Sequence, residues 1–325
     1  MALTFDKEIE ALLPMAVDEV EMPGVGDIES RRETFTRMFA PILSKNFPII
    51  SSVTMEDFHA KSSDGHEVLL RWYTKPGLSE GLPAVLFLHP GGLILGSVTL
   101  FDGLVQKYVD KAGVPYLSVE YRLAPENPYP KPLEDAYAGL VWLHDHASEL
   151  NIDPRRIAVH GESAGGGLAA ALSLLVREKQ GPSISKQILI YPMLDDRTIK
   201  PNPYIEKFLV WSAADNETGW NAYLGEKRGS NQVPATAAPA RIIDPRGLPA
   251  VYMEVGELDL FREEVTAYAD KLGRSGVSTE LHVYPDVPHG FEWFAPNSRV
   301  ASDALLGRIR AIQSIPIVPS SYRKP

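Results

Sequence analysis

A serine flanked by small residues is the most informative feature of this sequence. The segment GESAG at residues 161–165 follows an apolar run at residues 157–159 and precedes a run rich in Ala and Leu. The first run predicts a strand and the second a helix, so Ser163 is expected on a sharp turn between them. Glycines two residues before and after the serine allow the strained backbone of such a turn. The pattern therefore predicts a serine nucleophile on the turn.

A serine hydroxyl needs a base to take its proton, and the base needs an acid to hold it. His289 fits the base because it lies in the loop that follows a predicted strand at residues 279–284. Asp259 fits the acid because it directly follows a predicted strand at residues 250–256. In parallel sheets, functional groups collect outside the carboxyl ends of the strands. We therefore expect Ser163, Asp259 and His289 to form a catalytic triad.

The sequence leaves the identity of the acid open to some degree. Glu257, Glu263 and Glu264 lie close to Asp259, and any of them could supply the carboxylate. The order serine, acid, histidine along the chain is that of the α/β-hydrolases, and all four acids satisfy it. Asp259 is the preferred assignment because of its place at the strand end.

A site for developing negative charge is predicted beside the serine. Gly91 and Gly92 follow a buried strand at residues 83–89, so their N–H groups can turn toward Ser163. The Ala164 N–H lies at the start of the helix, where the helix dipole favours an anion. Together these groups predict an oxyanion hole with three donors.

Strand and helix patterns alternate along most of the chain, which predicts an α/β fold with a mostly parallel sheet. Residues 51–196 and 241–325 carry this alternation and form the predicted core. Residues 1–50 show helical spacing interrupted by Pro23-Gly24 and by Pro41, so they predict one or two short helices ahead of it. Residues 197–240 show no strand and predict an insertion over the carboxyl edge of the sheet.

Composition restricts the classes of partner. The net charge is −10 and the pI is near 5.4, which excludes a basic surface for nucleic acid or anionic membrane. The chain has no cysteine, so thiolate catalysis and disulfides are absent. Its N-terminus is acidic where a signal peptide is basic, and no stretch is long enough to span a bilayer. We predict a cytoplasmic protein without metal or cofactor.

Aromatic residues predict where substrate could lie. Phe35 and Phe39 are in the N-terminal helical segment, and Tyr204, Phe208 and Trp211 are in the insertion. One interpretation is that they form the packing core of the two segments. The other is that some of them line an apolar substrate pocket, since such pockets are mostly apolar.

Five motifs in this order give the sequence a family resemblance: HPGGLILGS, YRLAPENPYP, GESAGGG, GELDLFREE and PHGF. They resemble the hormone-sensitive-lipase-like (family IV) carboxylesterases and lipases, over residues 84–294. The resemblance implies an α/β-hydrolase fold, with a mostly parallel central sheet flanked by helices. It also implies a helical cap, formed by an N-terminal segment and by an insertion after the sixth strand. Residues 1–50 and 197–240 fall where those cap segments belong.

The sequence departs from the family pattern at two places. Where the family has HGGG, this sequence has HPGG at residues 89–92, so Pro90 replaces the first glycine. Proline donates no N–H. The family's donors correspond to Gly91 and Gly92, so the oxyanion hole should be retained in a stiffer loop. The usual Asp-Pro-Leu after the acid strand is Asp259 followed by Leu and Phe, which changes packing only.

The resemblance implies hydrolysis of carboxylic esters through an acyl-enzyme intermediate on Ser163. The expected substrates are esters with short to medium acyl groups, or small aromatic or lactone esters, and the expected state is a monomer or homodimer. Two alternatives are a lipase acting on long-chain lipids and a ligand-binding receptor on the same fold. A lipase needs an exposed apolar face on a mobile lid, whereas a receptor typically loses the histidine, which is present here as His289.

Overall fold

A sheet of eight strands forms the centre of the computed structural model, which describes residues 3–13 and 23–318. The strands are β1 (Thr54–Lys61), β2 (Glu67–Thr74), β3 (Leu82–Leu88), β4 (Tyr116–Val119), β5 (Ile152–Glu162), β6 (Lys186–Ile190), β7 (Ala250–Gly256) and β8 (Thr279–Tyr284). Their spatial order is β1-β2-β4-β3-β5-β6-β7-β8. Strand β2 runs antiparallel to both of its neighbours, β1 and β4, and β3 to β8 are parallel to one another. The mostly parallel sheet predicted from the sequence is confirmed.

Helices follow most of the parallel strands and pack against the sheet. They are α1 (Lys7–Glu10), α2 (Ile28–Asn46), α3 (Asp102–Ala112), α4 (Lys131–Asp145), α5 (Ala164–Lys179), α6 (Ala213–Leu224), α7 (Arg262–Arg274), α8 (Phe291–Phe294) and α9 (Arg299–Gln313). Helix α5 packs on β5 and β6, helix α7 on β7 and β8, and helix α9 contacts α3 and β6. The described residues also include four single-turn 3₁₀ helices, at Thr99–Phe101, Glu206–Phe208, Gly225–Lys227 and Pro239–Arg241.

Strands β3 and β5 lie in the middle of the sheet, and the parts of them that lead to the site are buried. The run LPAVLFL of β3 has six of its seven residues buried, as expected for a strand covered on both sides. The last six residues of β5 are also buried, and they lead directly into Ser163. The serine is therefore held at the end of a fully buried stretch of strand.

Helix α2 carries Pro41 in its interior, and the prediction that this proline breaks the helix is wrong. Proline removes the hydrogen bond to the carbonyl four residues earlier, which belongs to Arg37. Both Pro41 and Arg37 are exposed, so water can reach the freed carbonyl. Packing on the other side holds the helix together, because Phe39 contacts Trp293 and Leu43 is buried. Residues 14–22 of the predicted N-terminal cap lie outside the described residues.

The insertion contains helix α6 and short 3₁₀ turns, and the described residues 197–240 include no strand. Ser212 caps α6 in a capping box with Asp215. Asp215 also accepts a hydrogen bond from Arg31 Nε of helix α2 at 2.7 Å, and both side chains are buried. The two segments predicted to form the cap are thus joined by a buried ion pair.

Within the described ranges, no helix has both the length and the apolar character that crossing a membrane requires.

Candidate active site

Ser163 has a backbone conformation that non-glycine residues rarely adopt. Its φ and ψ angles are 55° and −119°, between the end of β5 and the start of α5. A Cβ atom added to Gly161 would lie 2.0 Å from the Gly165 carbonyl oxygen, and one added to Gly165 would lie 2.0 Å from the Leu88 carbonyl oxygen. Glycine is therefore required at both positions for the strained turn to close.

A continuous hydrogen-bonded chain connects the serine, the histidine and the aspartate. His289 Nε2 lies 2.9 Å from Ser163 Oγ, and His289 Nδ1 lies 2.7 Å from Asp259 Oδ2. The other carboxylate oxygen, Oδ1, accepts the Phe261 N–H at 2.9 Å, which fixes the plane of the carboxylate. All three side chains are buried. This geometry lets the imidazole take a proton from the serine while the aspartate stabilises the resulting imidazolium.

The three other acids near Asp259 in the sequence have different partners. Glu257 accepts a backbone N–H from the loop after β8, and Glu264 accepts backbone N–H groups from the segment after β6. Glu263 is exposed to solvent. Among these four carboxylates, Asp259 is the one that bonds His289.

The loop after β3 presents two glycines to the serine. Gly91 has φ of 136° and Gly92 has φ of 58°, both in the region that favours glycine. In the described part of the chain, neither N–H donates to a protein acceptor, and the Ala164 N–H lacks an intrahelical acceptor because it begins α5. The three N–H groups predicted for an oxyanion hole are thus free to bind an anionic oxygen.

His89 stabilises this loop by contacts with Tyr121 and Pro90. Its ring stacks on Tyr121 with centroids 4.2 Å apart, and its Nδ1 lies 2.8 Å from the Pro90 carbonyl oxygen. Burial lowers the pKa of His89 to about 4, so the ring is neutral at pH 7 and can donate one hydrogen bond to that carbonyl. Pro90 and His89 therefore both restrict the loop that carries Gly91 and Gly92.

Gly92→Ala keeps the backbone N–H, but its added Cβ is expected to shift the loop and move this N–H away from the oxyanion. We expect kcat to fall by about 10²-fold to 10³-fold, the usual effect of losing one oxyanion donor. The added Cβ would lie 2.3 Å from Cη2 of Trp211 and would have to displace the indole or the loop. Gly113→Ala is the matched control, since Gly113 has φ of 68° but no atom within 4 Å of an added Cβ. Steady-state kinetics and circular dichroism of both variants test this. Equal kcat values in the two variants would contradict an oxyanion role for Gly92.

A small cavity of about 50 Å³ opens beside Ser163. His289, Gly91 and Gly92 also line it. Its walls are mainly apolar and come from helix α2, the loop after β3, the insertion and helix α8; these wall residues are Phe35, Phe39, Pro90, Leu95, Val210, Trp211 and Trp293. The volume is that of a few water molecules, so only a small group fits without movement of the walls.

The structure brings three of the five predicted pocket aromatics to this cavity. Phe35, Phe39 and Trp211 line it, with the two phenyl rings stacked at 4.8 Å. Tyr204 does not, because its side chain is 79% exposed. Phe208 does not either, because it is buried in a separate apolar cluster with Phe5 and Leu258. Phe208 therefore packs between the N-terminal segment and the loop after β7, away from the cavity.

Sequence reasoning missed several residues that line the cavity. Arg31 and Asp215 lie in its wall, although charged residues are not expected there. No local signal could have found this pair, because its members are distant in sequence. Trp293 also lines the cavity, and its position four residues after His289 was a signal that could have been used.

Comparison with known proteins agrees with this architecture. Residues 85–293 match the model of a family described as having the α/β-hydrolase fold. The chain belongs to this family. It is 34% identical over 250 residues to carboxylesterase NlhH of Mycobacterium tuberculosis, covering 73% of this chain and 75% of the relative. The predicted resemblance to the hormone-sensitive-lipase-like carboxylesterases is thereby confirmed.

Two further comparisons extend the likeness to most of the chain. An ethyl acetate hydrolase of Pseudomonas putida is 31% identical over 274 residues, covering 80% of this chain and 82% of the relative. The solved structure of a bacterial heroin esterase superposes with a TM-score of 0.86 at 34% identity, covering 95% of this chain and 97% of that one. The family likeness therefore includes the segments on either side of the matched core.

Proposed function

We propose that this protein hydrolyses small, uncharged carboxylic esters through an acyl-enzyme intermediate on Ser163. Its relatives, which are named as esterases and ester hydrolases, show that it is a carboxylic ester hydrolase. The observation that carries the proposal is the hydrogen-bonded series Ser163, His289 and Asp259, which opens on the small apolar cavity.

Each side chain of the site has a role in the proposed reaction. Ser163 Oγ attacks the ester carbonyl carbon while His289 Nε2 takes the hydroxyl proton, and the carbonyl oxygen becomes an oxyanion facing the N–H groups of Gly91, Gly92 and Ala164. The intermediate collapses when Nε2 returns the proton to the alkoxide, which leaves as the alcohol. A water molecule then repeats the two steps on the acyl-serine and releases the carboxylic acid.

The charged pair in the cavity wall supports an uncharged substrate. The Arg31 guanidinium already donates to Asp215 Oδ1 and to the carbonyl oxygens of Pro23, Gly24 and Asp27. Asp215 Oδ2 accepts from the N–H and hydroxyl of Ser212. Because both side chains already have protein partners, binding a charged substrate group here would require breaking existing hydrogen bonds.

A series of p-nitrophenyl esters from acetate to palmitate tests the substrate class. Because the cavity is small, we expect the highest kcat/KM for the shortest acyl chains and a steep decline in kcat/KM as the acyl chain lengthens. Preference for palmitate would support a lipase instead. Absence of turnover on every ester, from a folded protein, would contradict the proposal and favour a ligand-binding receptor.

Truncation of Trp211 is expected to extend the accepted acyl chain. The indole packs on Gly92 and closes one side of the cavity, so Trp211→Ala should raise the ratio of kcat/KM for octanoate to that for acetate by about 10-fold, within the range for a few added methylene contacts. Phe208→Ala is the matched control, because it truncates a buried aromatic of the same insertion outside the cavity. An equal ratio in both variants would show that Trp211 does not limit the acyl group.

A further inference from the structure

One arginine lies buried beneath the nucleophile turn among three glutamates. Arg308 of helix α9 is only 2% exposed. Its Nε and Nη2 donate to Glu254 Oε1 at 2.9 and 2.6 Å, and its Nη1 lies 2.6 Å from Glu292 Oε1 and 4.0 Å from Glu162 Oε1. The arginine, these three glutamates and Tyr191 are called the Arg308 cluster.

The members of the cluster are adjacent to the three residues of the proposed triad. Glu162 immediately precedes Ser163, and Glu292 lies three residues after His289. Glu254 is on β7, the strand that leads into the loop with Asp259. A single guanidinium from a different element therefore ties together the three chain segments on which the nucleophile, the base and the acid depend.

Tyr191 connects this cluster to the base itself. Its hydroxyl donates to Glu292 Oε1 at 2.8 Å and lies 3.2 Å from Glu162 Oε2. Its ring packs against the His289 imidazole with centroids 4.5 Å apart. Tyr191 has φ of 35°, and its N–H donates to the Glu254 carbonyl oxygen at 2.7 Å. The Tyr191 side chain thus contacts the cluster through its hydroxyl and one face of the imidazole through its ring.

The electrostatics of the cluster explain why the arginine is needed there. Three ionised carboxylates around one guanidinium would leave a net negative charge in a site closed to water. Burial raises the pKa of Glu162 to about 7 and raises that of Glu254 above its usual value, while the nearby arginine opposes both shifts. Removing the cation would leave the carboxylates to repel one another or to take up protons, and either response would move the segments that carry them.

We propose that the Arg308 cluster positions the catalytic triad, with Tyr191 as the residue that holds the plane of His289. Neither Arg308 nor Tyr191 lines the cavity beside Ser163, so both are positioning residues. The proposal rests on the proposed function, because it assumes that Ser163, Asp259 and His289 carry the reaction. A displacement of about 1 Å in a reacting group can lower a rate by 10²-fold, so a small change here has a measurable effect.

Three variants test the proposal through kcat. Tyr191→Phe keeps the ring against His289 and removes the hydroxyl, and it is expected to lower kcat for p-nitrophenyl acetate about 10-fold with KM unchanged. Arg308→Lys keeps the charge but cannot bridge several carboxylates, so about a 10²-fold loss is expected. Arg308→Met, which removes the charge, should fall below Arg308→Lys. Rates are normalised to active sites counted with a fluorophosphonate that labels a reactive serine.

Matched controls separate positioning from general stability. Tyr73 lies on strand β2, and its equally buried hydroxyl donates a hydrogen bond to the Asp102 carboxylate. Tyr73→Phe removes this hydroxyl. Arg241→Lys weakens a buried ion pair with Asp196 outside the cluster. Both controls are expected to lower the melting temperature without changing kcat per active site. If Tyr191→Phe and Arg308→Lys behave like these controls, the cluster has only a structural role and the proposal is overturned.

A crystal structure of Tyr191→Phe separates this proposal from the proposed function. The positioning role predicts that the imidazole tilts and that the His289 Nε2 to Ser163 Oγ distance lengthens from its present 2.9 Å. An unchanged distance would overturn the positioning role, even if the wild-type protein hydrolyses esters. A wild-type protein that hydrolyses no ester would instead overturn the proposed function, whatever that distance is.

Discussion

Ser163→Ala is expected to reduce kcat/KM for p-nitrophenyl acetate by more than about 10⁴-fold, the effect seen when a triad nucleophile is removed. The hydroxyl lies 2.9 Å from His289 Nε2 and lines the cavity, so its removal takes away the group that attacks the ester carbonyl. The residual rate should equal that of a water molecule activated by the imidazole. Steady-state kinetics with the purified variant measures this loss directly.

Ser173→Ala is the control for the serine substitution. Ser173 lies ten residues further along in helix α5, is equally buried, and donates its hydroxyl hydrogen bond to the Ala169 carbonyl oxygen. It should retain wild-type kcat/KM. A fluorophosphonate should label the wild-type protein and Ser173→Ala once per chain and Ser163→Ala not at all. Labelling of Ser163→Ala at another residue would contradict the assignment of the nucleophile.

Asp259→Asn is the second variant with a large expected effect, about a 10⁴-fold loss in kcat. The Phe261 N–H donates to Oδ1, so the amide of asparagine should place its oxygen there and its NH₂ group toward His289. Nδ1 of the imidazole must then accept, which moves the ring proton to Nε2. A protonated Nε2 cannot take the proton of Ser163, although the positions of the heavy atoms hardly change.

The pair Asp259→Asn and Asp259→Ala distinguishes this tautomer effect from loss of a charge. Alanine leaves the tautomer of His289 free, so its kcat should exceed that of the asparagine variant. Asp135→Asn is the control, because Asp135 is an equally buried carboxylate that pairs with Arg122 away from the cavity. It should retain wild-type kcat per folded molecule. A wild-type kcat in Asp259→Asn would remove Asp259 from the reaction.

The core and the residues of the site could be predicted because their signals are local. Buried strands appear as short apolar runs, and the proposed catalytic side chains at residues 163, 259 and 289 lie in the turns and loops that follow predicted strands. Gly161 and Gly165 are required by backbone contacts within the same turn, so the motif encodes its own geometry. The assignment of Asp259 over its three neighbours, in contrast, needed the observed hydrogen bonds.

The cavity walls could not be predicted because they depend on how two distant segments pack. Phe208 and Trp211 are three residues apart in a stretch without periodic pattern, yet only Trp211 reaches the cavity. The burial of Arg308 could not be predicted either. It lies beside Gly307 and two residues from the exposed Arg310 in an amphipathic helix. Its burial follows from three glutamates that belong to other elements, which no pattern in helix α9 reveals.

Trapping of the acyl-enzyme tests the central claim most directly. The protein is mixed with p-nitrophenyl acetate, quenched in acid within milliseconds, digested, and analysed by mass spectrometry alongside the time course of nitrophenolate release. The account predicts a burst of one nitrophenolate per chain and a single acetyl group on Ser163. Steady turnover without a burst and without any acetylated peptide, at substrate concentrations that saturate the protein, would contradict accumulation of this intermediate. Acetylation at a different residue would contradict Ser163 as the nucleophile.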